Sequence, residues 1–230
     1  MKAKILMFCV LIMTSSCAHG RYYKEPQIPF SSFARIDVKR HKANCFNCVL
    51  ESGVGSGTVV GSTKFLTAGH ICVGIRDMIE NASKSEVLDR VLVTIKDDHG
   101  DIYGVTGLNI HETADICIME TDKPFLAGGI DIARQVPPRG KTVWSMMVPD
   151  GVGGVGLVPV VIGNYSGGDA SVSVFTIPAH PGASGGPIFD IKGQLVGMVS
   201  QINKQFHHIV ISPSLSLIKE YITQLNEDNE

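Results

Sequence analysis

The chain has 230 residues, 44% apolar and 18% charged, with a formal net charge of −2. That balance excludes a disordered polymer, and the absence of a long basic run leaves no electrostatic footprint for a nucleic-acid partner. With 25 glycines and 11 prolines the composition fits a turn-rich β protein.

At the start of the chain, Lys2 and Lys4 precede an apolar run over residues 5–13, too short to span a bilayer and shaped like a secretory leader. Thr14-Ser15-Ser16-Cys17 closes it with small residues. Cys17 is the candidate lipidated residue of a lipoprotein, the reading slightly favoured; Ser16-Cys17-Ala18 also reads as a signal-peptidase site releasing a soluble product. Either reading predicts an exported protein, periplasmic or on the outer membrane if lipidated and otherwise secreted, with residues 1–18 as leader and 19–32 as a linker. About 210 residues then remain, enough for one domain of two halves or for two small domains.

Apolar and β-branched runs predict strands over 33–38, 57–60, 91–95, 102–110 and 116–119, with Phe65-Leu66 as a further short strand. A second set follows over 143–148, 155–162, 171–177, 187–191, 195–200 and 208–211, with Lys192-Gly193 as a tight hairpin turn. Residues 80–88 read as a short helix or a surface loop. After Ser212-Pro213, Leu215, Ile218, Ile222 and Leu225 recur at helical spacing and predict a helix over about 214–225. The acidic end from Glu227 to Glu230 reads as a solvated tail.

Three segments carry chemistry. Pro181-Gly182-Ala183-Ser184-Gly185-Gly186-Pro187 sets a serine among glycines, so backbone N–H groups of Gly182 and Ser184 can approach a carbonyl oxygen with no Cβ in the way. Such a turn is weak evidence alone, because the same residues punctuate ordinary β loops. Phe65-Leu66-Thr67-Ala68-Gly69-His70 runs a short strand into a small-residue turn carrying one of eight histidines, the candidate general base. Ala114-Asp115-Ile116-Cys117 places one carboxylate at the mouth of an apolar strand, where burial is costly without a donor or cation against it. Asp115 is the favoured orienting acid; Asp101, in a turn, and Asp131, after the Gly128-Gly129 break, remain alternatives.

The order His70, Asp115, Ser184 resembles the chymotrypsin-like, trypsin-fold serine peptidases. The segment 181–187, the Asp115 strand and the stretch from His208 to Pro213 with its following helix look most similar to the bacterial HtrA-type protease domain, with no PDZ-like segment after it; 123–144 resembles the linker between that branch's barrels. The likeness runs over roughly residues 33–225. It implies an all-β fold of two six-stranded Greek-key barrels with a C-terminal helix, as one peptidase domain over 33–226: first barrel about 33–125, second about 137–212. It further implies a serine endopeptidase without cofactor, acting on polypeptide through a Ser-His-Asp triad and an acyl-enzyme, in the cleft between the barrels. A catalytically silent homologue that binds protein or cell-envelope material is the alternative. An α/β-hydrolase esterase is disfavoured by the residue order.

Ala183 stands where trypsin-like zymogens carry the aspartate that pairs with a new N-terminus, so that switch is not expected here. In the family the primary pocket lies along 176–180 and 198–203, and neither stretch holds Asp or Glu. Thr176, His180 and Ser200 are the candidate pocket residues, and a small or medium apolar substrate side chain is expected. Hydroxyl and imidazole groups of Thr176, His180, His207 and His208 keep open the glutamate preference of some relatives. Cys45, Cys48, Cys72 and Cys117 form an even set suited to an oxidising compartment. One pairing joins Cys72 to Cys117 and Cys45 to Cys48; the other joins Cys72 to the earlier pair, as relatives bridge the histidine loop. His41 with Cys45 and Cys48 is too sparse a set to predict zinc.

Overall fold

The computed structural model describes residues 25–43, 45, 47–85, 89–149, 152–153, 156–203 and 205–227. The leader, Cys17 and residues 19–24 of the 19–32 linker lie outside the described residues. Among the described residues no helix is long and apolar enough to cross a membrane.

Strands β1 (Phe33–His41), β2 (Val49–Val59), β3 (Lys64–Thr67), β4 (Arg90–Asp97), β5 (Ile102–Ile110) and β6 (Cys117–Thr121) close into a barrel in the order β1-β2-β3-β6-β5-β4. All neighbours are antiparallel, and the step from β3 to β6 gives the Greek-key path. The period-2 pattern of β1 explains its orientation: Ala34, Ile36 and Val38 point into the barrel while Arg35, Asp37 and Lys39 face outward. Phe65, Ile95, Tyr103 and Met119 complete that interior.

The second half is a seven-stranded antiparallel sheet in the order β11-β10-β7-β8-β9-β13-β12. Its strands are β7 (Thr142–Met146), β8 (Val160–Gly168), β9 (Val172–Thr176), β10 (Pro187–Phe189), β11 (Leu195–Met198), β12 (Gln201–Ile202) and β13 (Ile209–Pro213). It curls as the barrel expectation requires, with a two-residue strand beyond the expected six. The Met198 amide donates to Ser212 Oγ at 3.0 Å, so a side chain rather than a backbone ladder joins β11 to β13 across the curl. The Lys192-Gly193 turn is present, with Gly193 at φ +78° and its amide on Asp190 O.

Helix α2 (Leu215–Glu227) follows β13 and buries Leu215, Ile218, Tyr221 and Ile222. Ile218 and Tyr221 share one apolar cluster with Leu66 and Ile118 of the barrel and Trp144, Met146 and Phe189 of the second sheet. That shared core fixes the two halves against each other, which a site assembled from both requires.

Besides the short strand β12, sequence patterning missed a helix of about four turns. Helix α1 (Gly69–Ser83) starts at the segment read as a turn and ends where a short helix or loop over 80–88 was expected; residues 86–88 lie outside the described residues. Its buried stripe, Cys72, Ile75, Met78 and Ala82, has helical spacing, but Gly69 and Gly74 weaken the signal.

Candidate active site

The candidate base, His70, sits on the first turn of α1 and the candidate acid, Asp115, just before β6. His70 Nδ1 lies 2.9 Å from Asp115 Oδ2 and 3.2 Å from Oδ1, and the His70 backbone N–H donates to Oδ1 at 2.6 Å. The carboxylate therefore holds both the ring and the amino end of the helix, where the helix dipole favours an anion. Glycine at 69 leaves room for this approach, because a Cβ there would stand 3.0 Å from Asp115 Oδ1 and from the Ile116 amide nitrogen. The Asp115 side chain is 20% exposed and that of His70 50%, so the imidazole edge opposite the acid remains open to a substrate.

A further donor completes the acid's surroundings. Ser200 Oγ, between β11 and β12, donates to Asp115 Oδ2 at 2.5 Å. Burial pushes the Asp115 carboxyl up, but hydrogen bonds from the His70 ring, the Ser200 hydroxyl and the His70 amide outweigh it and hold the group below its ordinary value. The loop that presents Asp115 is itself tied: His111 Nδ1 accepts the amides of Thr113 and Ala114 at 3.2 and 3.0 Å. Of the alternative acids, Asp101 donates its amide to Asp97 in the β4–β5 turn, and Asp131 lies in the connection between the sheets, with its carbonyl on the Leu195 amide. It is Asp115 that meets His70.

Ser184 sits in two overlapping turns. The Ala183 amide donates to His180 O at 3.0 Å with Pro181 and Gly182 between, Gly182 at φ +90°. The Gly186 amide donates to Ala183 O at 2.9 Å with Ser184 and Gly185 between, Gly185 at φ +83°. Proline second and glycine third is the type II pattern in the first turn, and the second places Ser184 at a turn corner ahead of a glycine. Among the described residues the amides of Gly182 and Ser184 donate to no protein acceptor. Both are available to an incoming oxyanion. Ala183 is fully buried in the second sheet's core, a place where an unpaired carboxylate would be costly.

Backbone contacts bring this turn to the segment that carries His70. Ser184 O accepts the Ser56 amide at 2.9 Å, Ser56 Oγ donates to Gly182 O at 2.8 Å, and Thr67 Oγ1 donates to Ser56 O at 2.8 Å. A Cβ on Gly185 would overlap Ser56 O and Thr67 Oγ1 and come within 3.1 Å of the Ala68 nitrogen. The Ser184 turn is thus packed on Thr67 and Ala68, which lead into Gly69 and His70. No hydrogen bond joins Ser184 Oγ to His70 among the described contacts, a bond that often tightens only when substrate is present.

Sequence reasoning did not single out Ser56 or Thr67, whose small polar side chains give no pattern until both halves are assembled. Ser200, expected to line the pocket, donates its hydroxyl to Asp115, where the chain passes behind that carboxylate between β11 and β12. Thr176 ends β9 with its hydroxyl 2.7 Å from Ser166 Oγ. His180 is exposed, its ring 5.3 Å centroid to centroid from that of His207. Both expected disulfides of the first pairing are formed, Cys72–Cys117 and Cys45–Cys48. No cluster of three or more His, Cys, Asp or Glu able to hold a metal occurs among the described residues.

Residues 55–198 match the family model described as a trypsin-like peptidase domain. No curated protein matches this chain in sequence. Among solved structures, the protease Rv3671c from M. tuberculosis in an inactive form superposes with a TM-score of 0.62 at 15% identity, covering 86% of this chain and 88% of that one. Its active form gives 0.58 at 15% identity, covering 83% of each. A serine endoprotease from Yersinia pestis gives 0.62 at 18% identity, covering 85% of this chain and 64% of its own. At such identities these likenesses speak for the fold, which is the trypsin-like double barrel. The family match spans well over half the chain, and the protein belongs to the trypsin-like peptidase domain family.

Proposed function

We propose that this chain is an exported serine endopeptidase in which Ser184 is the nucleophile, His70 the general base and acid, and Asp115 the orienting carboxylate. The observation that carries this reading is the His70–Asp115 pair at 2.9 Å beside a glycine turn whose Ser184 carbonyl is bonded to Ser56. A serine hydroxyl is too weak an acid to attack an amide unaided. As Ser184 Oγ bonds to the scissile carbonyl carbon, His70 Nε2 takes its proton, and the Gly182 and Ser184 N–H groups receive the oxyanion. The imidazolium then protonates the leaving amine, the C–N bond breaks, and an ester on Ser184 remains. Water attacks that ester, giving its proton to His70 and then to Ser184 Oγ, and the carboxylic acid leaves. Asp115 steadies the imidazolium at each stage through Nδ1.

The absence of acidic residues from 176–180 and 198–203 supports a small or medium apolar side chain at the cleavage site over a basic one. Export follows from the leader, with Cys17 as lipid anchor; labelling with a fatty-acid analogue that disappears in Cys17→Ser tests this. Peptide and ester hydrolysis by wild type and Ser184→Ala test the central reading. The variant should fold and lose both activities; hydrolysis retained in full would remove Ser184 from the mechanism, and a folded wild type inert to all substrates would leave a binding module.

A further inference from the structure

The Cys72–Cys117 bond spans a sequence separation of 45, the same as the His70–Asp115 pair, because each cysteine lies two residues beyond its partner in that pair. Both half-cystines are fully buried, with Cα atoms 6.4 Å apart. The bond therefore joins the first turns of α1 to β6, directly behind the base and the acid. Noncovalent attachment at this end of the helix consists of the packing of Ile71 on the barrel core and the hydrogen bonds of Asp115. The helix-capping position, Ala68, offers no side-chain acceptor, and the Ile71 amide bonds only back to Ala68 O. Among the described hydrogen bonds, the link from the start of α1 to the strand-side segment is made by Asp115, the same carboxylate that must orient the ring. Apolar contacts of Ile75, Met78 and Ala82 hold the helix further along.

We propose that the Cys72–Cys117 disulfide is a positioning element for the His70–Asp115 pair, which makes the activity conditional on an oxidised chain. The inference rests on the peptidase reading above. With the bond closed, helix and strand keep a fixed spacing and Asp115 is left to orient the imidazole. With it open, the junction rests on the Asp115 hydrogen bonds, the packing of Ile71 and the β3–β6 pairing at Thr67, none of which fixes the ring as a covalent bond does. Misplacement of a catalytic group by about 1 Å can cost about 100-fold in rate. The Cys45–Cys48 bond closes a short loop between β1 and β2, away from this junction, and serves as the internal control.

The test compares wild type with Cys72→Ala/Cys117→Ala, Cys72→Val/Cys117→Ala and Cys45→Ala/Cys48→Ala, using ester and peptide turnover, fluorophosphonate labelling and the downfield proton signal of His70 Nδ1–H. Both variants lacking the buried bond should melt cooperatively, keep KM within about twofold, lose about 10-fold or more in kcat and lose the downfield signal. The control should match wild type in all four. A bond that merely stabilises would lower the melting temperature and leave kcat and the proton signal alone, and that result overturns the inference. If the variants do not fold, wild type reduced by a phosphine, with thiols counted and circular dichroism retained, takes their place; unfolding on reduction there also overturns it. Labelling that is equal in oxidised and reduced protein contradicts this inference alone, whereas no labelling of oxidised wild type contradicts the peptidase reading itself.

Discussion

Ser200 Oγ donates to Asp115 Oδ2 at 2.5 Å, so a residue of the second sheet completes the surroundings of an acid carried by the first barrel. Ser200→Ala removes one of the donors that hold this carboxyl low. A hydrogen bond to a charged group is worth about 1.5–3 kcal/mol, and kcat should fall by about 10-fold or more with little change in KM. Steady-state kinetics on a chromogenic ester check this; unchanged kcat would detach Ser200 from the acid's role.

Acid sensitivity follows from the same carboxyl. The Asp115 pKa is lower in the folded chain than in the unfolded one, so the unfolded state binds more protons around that range and stability rises with pH there. The contribution of Asp115 is complete above its unfolded value of about 4 and is lost as pH falls through the lower folded value. Urea midpoints of wild type and Asp115→Asn, measured from neutral to acid pH, should therefore differ least at the acid end. A gap that widens on acidification would reverse the sign assigned here.

Gly185→Ala should be severe. Its φ of +83° disfavours any side chain, and the added methyl would overlap Ser56 O and Thr67 Oγ1, both part of the contact that seats the nucleophile turn. Loss of fluorophosphonate labelling together with a lowered melting temperature is expected. Wild-type labelling in this variant would show that the turn is not seated on Ser56 and Thr67.

Gly74→Ala should do the opposite. Gly74 lies inside α1, exposed, with open space where a Cβ would stand. The substitution should stabilise by about 0.5–1 kcal/mol through helix propensity, leaving turnover unchanged. A thermal melt checks it, and a lower melting temperature would contradict the helical environment assigned to this position.

Much of the architecture was legible in the sequence because barrel strands advertise themselves. The expected strand over 102–110 matches β5 end to end, and the stripe of Leu215, Ile218 and Ile222 matched α2 within two residues. The order of His70, Asp115 and Ser184 was legible because each stands in a short motif of its own, and the structure brings the first two into contact. Helix α1 was hidden because its amino end carries glycine and no capping side chain, and Gly74 interrupts its pattern. The Ser200–Asp115 contact was hidden for another reason: Ser200 stands in no motif of its own, and its partner, 85 positions away, is visible only once the sheets are joined. Cys72–Cys117 was one of the three pairings that four cysteines allow, and the packing of α1 on β6 decides for it.

The most direct test of the account is mass-spectrometric mapping of the adduct formed by a fluorophosphonate on the folded, oxidised protein. A single adduct on Ser184, abolished in Ser184→Ala and reduced by about 1,000-fold or more in rate in His70→Ala, is the predicted result. A folded wild type that stays unlabelled, or labels at another residue at the same rate with His70 replaced, would contradict it.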